Sequence, residues 1–175
     1  MPILITFSGL PGVGKTTIAK ALTQHLSATY LRVDVVESAL RESLLKIDQP
    51  QDAGYRAICG IAISNLKLRQ NVIADTVNPV PESRALWTEA AQAAGAHLLN
   101  VEIVCTDISV HKNRVETRSA DLEGHPLPTW AQVQNREYHP WDAVNIRLDS
   151  SQLSIEDCAK AIISHLQESP QAGDV

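Results

Sequence analysis

Near the start of the chain, Gly9-Leu10-Pro11-Gly12-Val13-Gly14-Lys15-Thr16 places three glycines, a lysine and a hydroxyl in the order G-x-x-x-x-G-K-[ST]. These residue types at this spacing suit phosphate. Glycines at 9, 12 and 14 permit backbone angles that turn successive N–H groups inward around phosphate oxygens, with the positive end of the following helix beneath them. Lys15 would reach the β- and γ-phosphates, the Thr16 hydroxyl would ligate Mg²⁺, and Thr17 would lie beside them. An accidental Gly-rich turn should match this pattern in well under roughly one chain in a hundred of this length. The loop by itself predicts that Gly9 to Thr17 bind a nucleotide with Mg²⁺, and ATP is the nucleotide expected once the function classes below are weighed.

Further side chains have the chemistry that a bound triphosphate would need. Asp34 follows an extended run, where a carboxylate would orient an acceptor hydroxyl and take its proton as the new bond forms. Asp34-Val35-Val36-Glu37 also reads as a capping box, with Asp34 as cap and Glu37 at the third position, and both roles can hold together. Asp75 closes Asn71-Val72-Ile73-Ala74-Asp75, where it would position Mg²⁺ through water, bind substrate, or cap the turn before Asn78-Pro79. Arg84 would clamp an anionic substrate or stand as an exposed charge in a first helical turn. Arg114 and Arg118, four apart on one helix, share a face. Two guanidinium groups there would stack on adenine and neutralise charge on a transferred phosphate, or form a solvated face with Glu116 and Asp121. Arg136 would contribute from the far side of the same region.

Other residue types say less. Trp130, Tyr138 and Trp141 bracket that region and are expected to pack its base rather than line a substrate pocket. The six histidines show no metal-ligand spacing. Asp149-Ser150-Ser151 would lie near the nucleotide base. Cys59, Cys105 and Cys158 are too scattered for a zinc site or a disulfide framework, which fits a reducing, cytoplasmic setting.

These residues must be positioned by an alternation of strands and helices. Strands are expected at Ile3 to Ser8, Thr29 to Val33, Asn71 to Asp75, His97 to Thr106 and Ala143 to Leu148. Helices are expected at Lys15 to Leu26, Asp34 to Lys46, Ala53 to Leu68, Glu82 to Ala94, Ile108 to Arg118, Thr129 to Tyr138 and Ser154 to Leu166. Gly95 should end the fourth of these helices, and the Thr129 side chain should cap the sixth. The pattern predicts an α/β, three-layer, doubly wound P-loop NTPase fold: a five-stranded, mostly parallel sheet with ligand sites beyond its carboxyl edge. One domain over 1–168 is expected, with a lid over about 114–140 that includes Gly124, and a frayed tail over 169–175.

Composition narrows the function classes. A net charge of −5, from 15 Lys and Arg against 20 Asp and Glu, argues against a broad nucleic-acid-binding face. No stretch is apolar for the roughly 18 residues that a membrane span needs. The apolar N-terminus has no basic leader and reads as a core strand. There is no Asn-Lys-x-Asp guanine-recognition sequence, and large ATP-driven machines need a longer chain. A compact kinase acting on a small hydroxyl-bearing molecule, as monomer or homodimer, is the leading expectation. A nucleotide-dependent switch acting on a protein partner and a kinase of nucleic-acid ends are the alternatives.

The chain resembles the small P-loop kinases of the group that contains gluconate kinase, shikimate kinase, adenylylsulfate kinase and chloramphenicol phosphotransferase. Within that group it looks most like uncharacterised AAA-like predicted kinases of bacteria. The resemblance covers nearly the whole chain. It is carried by residues 9–16, by Tyr30-Leu31-Arg32-Val33-Asp34, by residues 72–79 with Arg84, by residues 114–118 and by residues 128–142. It implies that Lys15 and Thr16 bind nucleotide and Mg²⁺, that Asp34 is the acceptor-side carboxylate, and that Arg114 or Arg118 is the lid arginine. The Asp-Gly-Asp-Asn of adenylylsulfate kinases is absent, because Val35, Val36 and Glu37 follow Asp34.

Overall fold

The computed structural model describes residues 1–44, 46–122 and 126–168. The expected tail, 169–175, and Gly124 of the expected lid lie outside the described residues. Five strands, β1 (Ile3–Ser8), β2 (Ala28–Arg32), β3 (Asn71–Asp75), β4 (His97–Val104) and β5 (Ile146–Asp149), form one sheet in the order β2-β3-β1-β4-β5. Every pairing is parallel, so the sheet is parallel throughout rather than mostly so. The helices are α1 (Lys15–Leu22), α2 (Val33–Glu42), α3 (Ala53–Lys67), α4 (Pro81–Ala94), α5 (Ile108–Thr117), α6 (Trp130–Gln134) and α7 (Ile155–Glu168).

The period-two geometry of the strands divides the core between two faces. Ile5, Phe7, Ile73, Val101 and Ile103 pack against Ile18 and Leu22 of α1 and Ile162 of α7. Leu4, Val72 and Ala74 point the other way, onto Ile58 and Leu66 of α3 and Trp87 of α4. Burial on both faces explains why the central strands read as unbroken apolar runs rather than alternating ones. All five strands run the same way, so their carboxyl ends lie on one edge. The loop after β1 sits at the middle of that edge, between β3 and β4.

Helix ends follow local chemistry where they meet nothing else. Gly95 closes α4 in the left-handed region, and Thr129 caps α6 by accepting the Gln132 N–H at 3.3 Å while Gln132 Oε1 accepts the Thr129 N–H at 2.9 Å. Tertiary contacts shorten others. The sixth helix ends at Gln134 instead of Tyr138, because Tyr138 donates to the buried Glu102 Oε1 at 2.7 Å and the His139 N–H donates to the Pro79 carbonyl at 2.8 Å. The second helix stops at Glu42, short of the expected Lys46, where Ser43 turns extended. Among the described residues, no helix is long and apolar enough to cross a membrane.

One buried knot ties α4 to the carboxyl end of β1. Asn78, left-handed at φ 47°, donates from Nδ2 to the Phe7 carbonyl at 3.2 Å and accepts at Oδ1 from Trp87 Nε1 at 3.0 Å. Trp87 is fully buried. Trp87→Ala should therefore cost about 3–5 kcal/mol of stability, checked by urea denaturation followed by far-UV circular dichroism.

Candidate functional site

The loop after β1 is wedged rather than merely flexible. The Gly9 N–H donates to the Val77 carbonyl at 3.1 Å, and a Cβ on Gly9 would stand 2.2 Å from the Ile103 carbonyl oxygen. A Cβ on Gly12 would come within 2.5 Å of a Val115 methyl of α5. Both glycines also hold positive φ, at 132° and 86°. Gly9 and Val13 are buried and, with Leu10, do not line the cavity above the loop. The Gly9 N–H is already used by Val77, and the turn presents Pro11, Gly12, Gly14, Lys15, Thr16 and Thr17 to the cavity.

Lys15 is 8 % exposed and donates to the Leu10 carbonyl at 3.0 Å. Burial pulls its ammonium down to about 8, against the opposing pull of the Asp75 and Asp34 carboxylates. Next to it, Thr16 Oγ1 donates to Asp75 Oδ2 at 2.6 Å, and the Tyr30 hydroxyl donates to the same oxygen at 2.8 Å. Burial and the Asp75 charge together push the Tyr30 phenol far above its ordinary value. A hydroxyl and a carboxylate held side by side offer the hard oxygen donors that suit Mg²⁺, which takes one or two protein ligands and completes its shell with phosphate and water. Among the described residues no cluster of three His, Cys, Asp or Glu side chains forms a separate metal cage. The residues present therefore fit a Mg²⁺–triphosphate.

A cavity of about 1340 Å³ opens over this loop. Its walls bring together Lys15, Thr16, Asp34, Asp75, Arg114, Arg118 and Arg136. Asp34 lies in the first turn of α2, while Arg32 occupies the N-cap position without a side-chain cap bond. The capping box expected at Asp34 and Glu37 is thus not formed: Glu37 accepts instead from Arg41 at 3.4 Å, and Asp34 Oδ2 accepts from Arg32 Nε and Nη2 at 3.1 and 3.0 Å. Arg32 Nε also stands 3.9 Å from Asp75.

The two arginines of the expected lid diverge. Arg114 donates to the Ser150 hydroxyl at 2.8 Å and the Ser150 carbonyl at 3.0 Å, and that hydroxyl donates to the Val13 carbonyl at 2.6 Å. Arg118 is the residue at which α5 ends, with extended backbone. Its side chain therefore leaves the shared helical face and lies within electrostatic reach of Asp34, Arg32 and Asp121. Arg136, two residues past α6, is within electrostatic reach of Lys15 and Glu37.

Arg84 is a correction. It is buried and does not line the cavity, so it is neither a substrate clamp nor an exposed charge. Its guanidinium donates to the carbonyls of Asn78, Pro79, His139 and Pro140 and lies 4.7 Å from the Trp141 ring centroid. It staples the strap after Arg136 to the β3–α4 loop. Tyr138 and Trp141 pack on Arg84, and Trp130 meets the edge of His111 at 5.1 Å, the expected packing role. Of Asp149-Ser150-Ser151, only Ser150 reaches the cavity wall. The Asp149 carboxylate is held well below its ordinary value by hydrogen bonds from Ser151 and Thr106.

The sequence did not reveal the specific contacts of several residues. Arg32 bridges Asp34 and Asp121, Tyr30 supports Asp75, Ser150 links Arg114 to the loop, and His111 hydrogen-bonds the Pro11 carbonyl at 2.8 Å. Tyr30 and Arg32 had a signal: residues two apart on a strand share a face, and Arg32 pairs in register with Asp75.

With a phosphate loop, a Thr–Asp pair and a carboxylate–arginine wall around one cavity, comparison with known proteins gives a consistent result. The chain belongs to the AAA domain family. The family model matches residues 4–138. An adenylyl-sulfate kinase of Deinococcus deserti is 25% identical over 175 residues, an alignment covering 93% of this chain and 90% of that protein. The structure of the Mycobacterium tuberculosis APS kinase in complex with AMPPNP and APS superposes with a TM-score of 0.72 at 19% identity, covering 95% of this chain and 98% of that one. A gluconokinase from Sinorhizobium meliloti 1021 gives 0.66 at 18% identity, covering 95% and 94%. These superpositions establish a shared P-loop kinase fold.

Removing the Arg84 staple should be felt as lost stability. Arg84→Ala leaves buried carbonyls without donors and is expected to cost about 2–4 kcal/mol in chemical denaturation.

Proposed function

We propose that this member of the AAA domain family is an ATP-dependent kinase that transfers a phosphoryl group to the hydroxyl of a small molecule. The observation that carries the reading is the placement of Asp34 on the wall of the same cavity whose floor is the phosphate loop. That cavity, about 1340 Å³, exceeds the roughly 300–1,000 Å³ usual for one small ligand, and so has room for a nucleotide and a small acceptor together. The similarity to an adenylyl-sulfate kinase supports transfer to a small molecule over signalling to a protein partner. Three free cysteines, two of them buried, fit a cytoplasmic protein.

In this reading Gly12, Gly14, Lys15, Thr16 and Thr17 hold the triphosphate, and Thr16 with Asp75 holds Mg²⁺. When bound, the metal supplies charge neutralisation on the phosphate oxygens. Lys15, already partly dehydrated by burial, meets the phosphates at little further desolvation cost. Asp34 orients the acceptor hydroxyl and takes its proton as the oxygen bonds to phosphorus and the bond from phosphorus to the leaving oxygen breaks. Arg32, bonded to Asp34 through two nitrogens, holds that carboxylate in place. Arg114, fixed by Ser150, stands on the nucleotide side, while Arg118 and Arg136 face the acceptor side and neutralise charge that develops during transfer.

The test is a panel of hydroxylated metabolites incubated with γ-labelled ATP and the purified chain. Transfer of label to a member of the panel is expected. Lys15→Ala should abolish nucleotide binding in calorimetry. Asp34→Asn should keep that binding and lower acceptor-dependent turnover by about 10²–10⁴-fold, whereas turnover within a few-fold of wild type would remove Asp34 from the chemistry.

A further inference from the structure

Asp121, in the segment after α5, makes a contact that the phosphoryl-transfer reading does not use. Arg32 Nη1 donates to Asp121 Oδ2 at 2.6 Å, and Lys20 Nζ lies 3.8 Å from the same oxygen. The other edge of the Arg32 guanidinium, Nε and Nη2, holds Asp34. One guanidinium thus carries two carboxylates. Asp34 belongs to the cavity's chemical wall, whereas Asp121 is half exposed and comes from a stretch without helix or strand.

The surroundings hold more positive charge than these pairings use. Arg118 Nε is buried with no hydrogen-bond partner among the described residues, although Asp34, Arg32 and Asp121 are all within its electrostatic reach. A buried guanidinium N–H without an acceptor is costly, and such groups are kept where an acceptor arrives. Arg136 is a further cation in the wall of the same cavity.

We propose that Arg32 and Arg118 form an oxyanion seat for the phosphate acceptor, that Asp121 fills this seat while the acceptor is absent, and that the acceptor is a small hydroxylated compound bearing a carboxylate, sulfate or phosphate group. The identity of the acceptor rests on the kinase function proposed above; the seat itself does not. Asp121 is half exposed and regains water on leaving, so an incoming oxyanion can replace it on the largely buried Arg32 without leaving that guanidinium edge unpaired. The exchange uses Nη1 and leaves Nε and Nη2 on Asp34. The anionic end of the acceptor would then be one guanidinium away from the carboxylate that takes the hydroxyl proton, which brings that hydroxyl to Asp34 without rearranging Arg32. An anion in this position also gives the buried Arg118 N–H its missing acceptor, and planar guanidinium groups suit two-point binding of an oxyanion.

The experiment titrates inorganic sulfate, inorganic phosphate and acetate separately into the full chain saturated with Mg²⁺ and the ATP analogue AMP-PNP, so that the phosphate loop is already filled. Calorimetry is run on wild type, Asp121→Asn and Arg118→Gln. Loss of the competing charge in Asp121→Asn should tighten anion binding roughly three- to fivefold. Arg118→Gln should weaken it at least about tenfold. A preference for sulfate and phosphate marks a tetrahedral anion on the acceptor and a preference for acetate a carboxylate, and either supports the seat. No measurable binding of any anion, affinity unchanged or weakened in Asp121→Asn, or affinity unchanged in Arg118→Gln overturns it. Asp121 is at the surface, so that variant should fold as wild type does. Should AMP-PNP itself not bind, the nucleotide reading fails. The same titrations without nucleotide, in a Lys15→Ala background with and without Asp121→Asn, then decide the seat alone by the same criterion.

Discussion

The close approach of Gly9 to the end of β4 is the constraint on which the site depends. With no side chain there, the backbone leaving β1 can pass against the Ile103 carbonyl and donate to Val77, so the loop is pinned between β4 and the segment that follows β3. That pin sets the direction in which α1 starts. It buries Lys15 under the loop with its ammonium on the Leu10 carbonyl, and it brings the Thr16 hydroxyl onto Asp75 at the end of β3. A parallel sheet makes this possible, because the ends of β1, β3 and β4 all lie at one edge.

From that edge outward, the site is organised by shared charges rather than by isolated pairs. Asp75 is buried yet bonded to Thr16 and Tyr30, with Arg32 nearby, and Arg32 in turn holds Asp34 and Asp121. Buried charge is tolerated only when it is paired and hydrogen-bonded in this way. The arrangement puts carboxylates and several guanidinium groups together around one cavity.

A second set of contacts supports this wall from behind. Arg84 joins the strap 139–140 to the β3–α4 loop, while Glu102, buried in β4, receives Tyr138 and Arg147. These bonds fix the chain on the far side of Arg136. An arginine that sequence reasoning placed in the substrate pocket thus acts as a scaffold, because its five donors are better matched to converging loop carbonyls than to solvent.

Much was legible in the order of the residues. The phosphate loop is a local motif whose glycines, lysine and threonine act within one turn of chain, and the apolar runs of β1 and β3 and the Gly95 stop are likewise local. These parts of the fold needed no partner to be read. What the tertiary structure decided are relations between residues far apart in sequence. Among them are the Asp75–Thr16 bond across 59 positions, the Arg32–Asp121 contact across 89, the divergence of Arg114 from Arg118, and the burial of Arg84. The physical reason is that a side-chain charge is directed by whatever carbonyl or carboxylate the fold brings within about 3 Å, and no spacing along one segment encodes that neighbour.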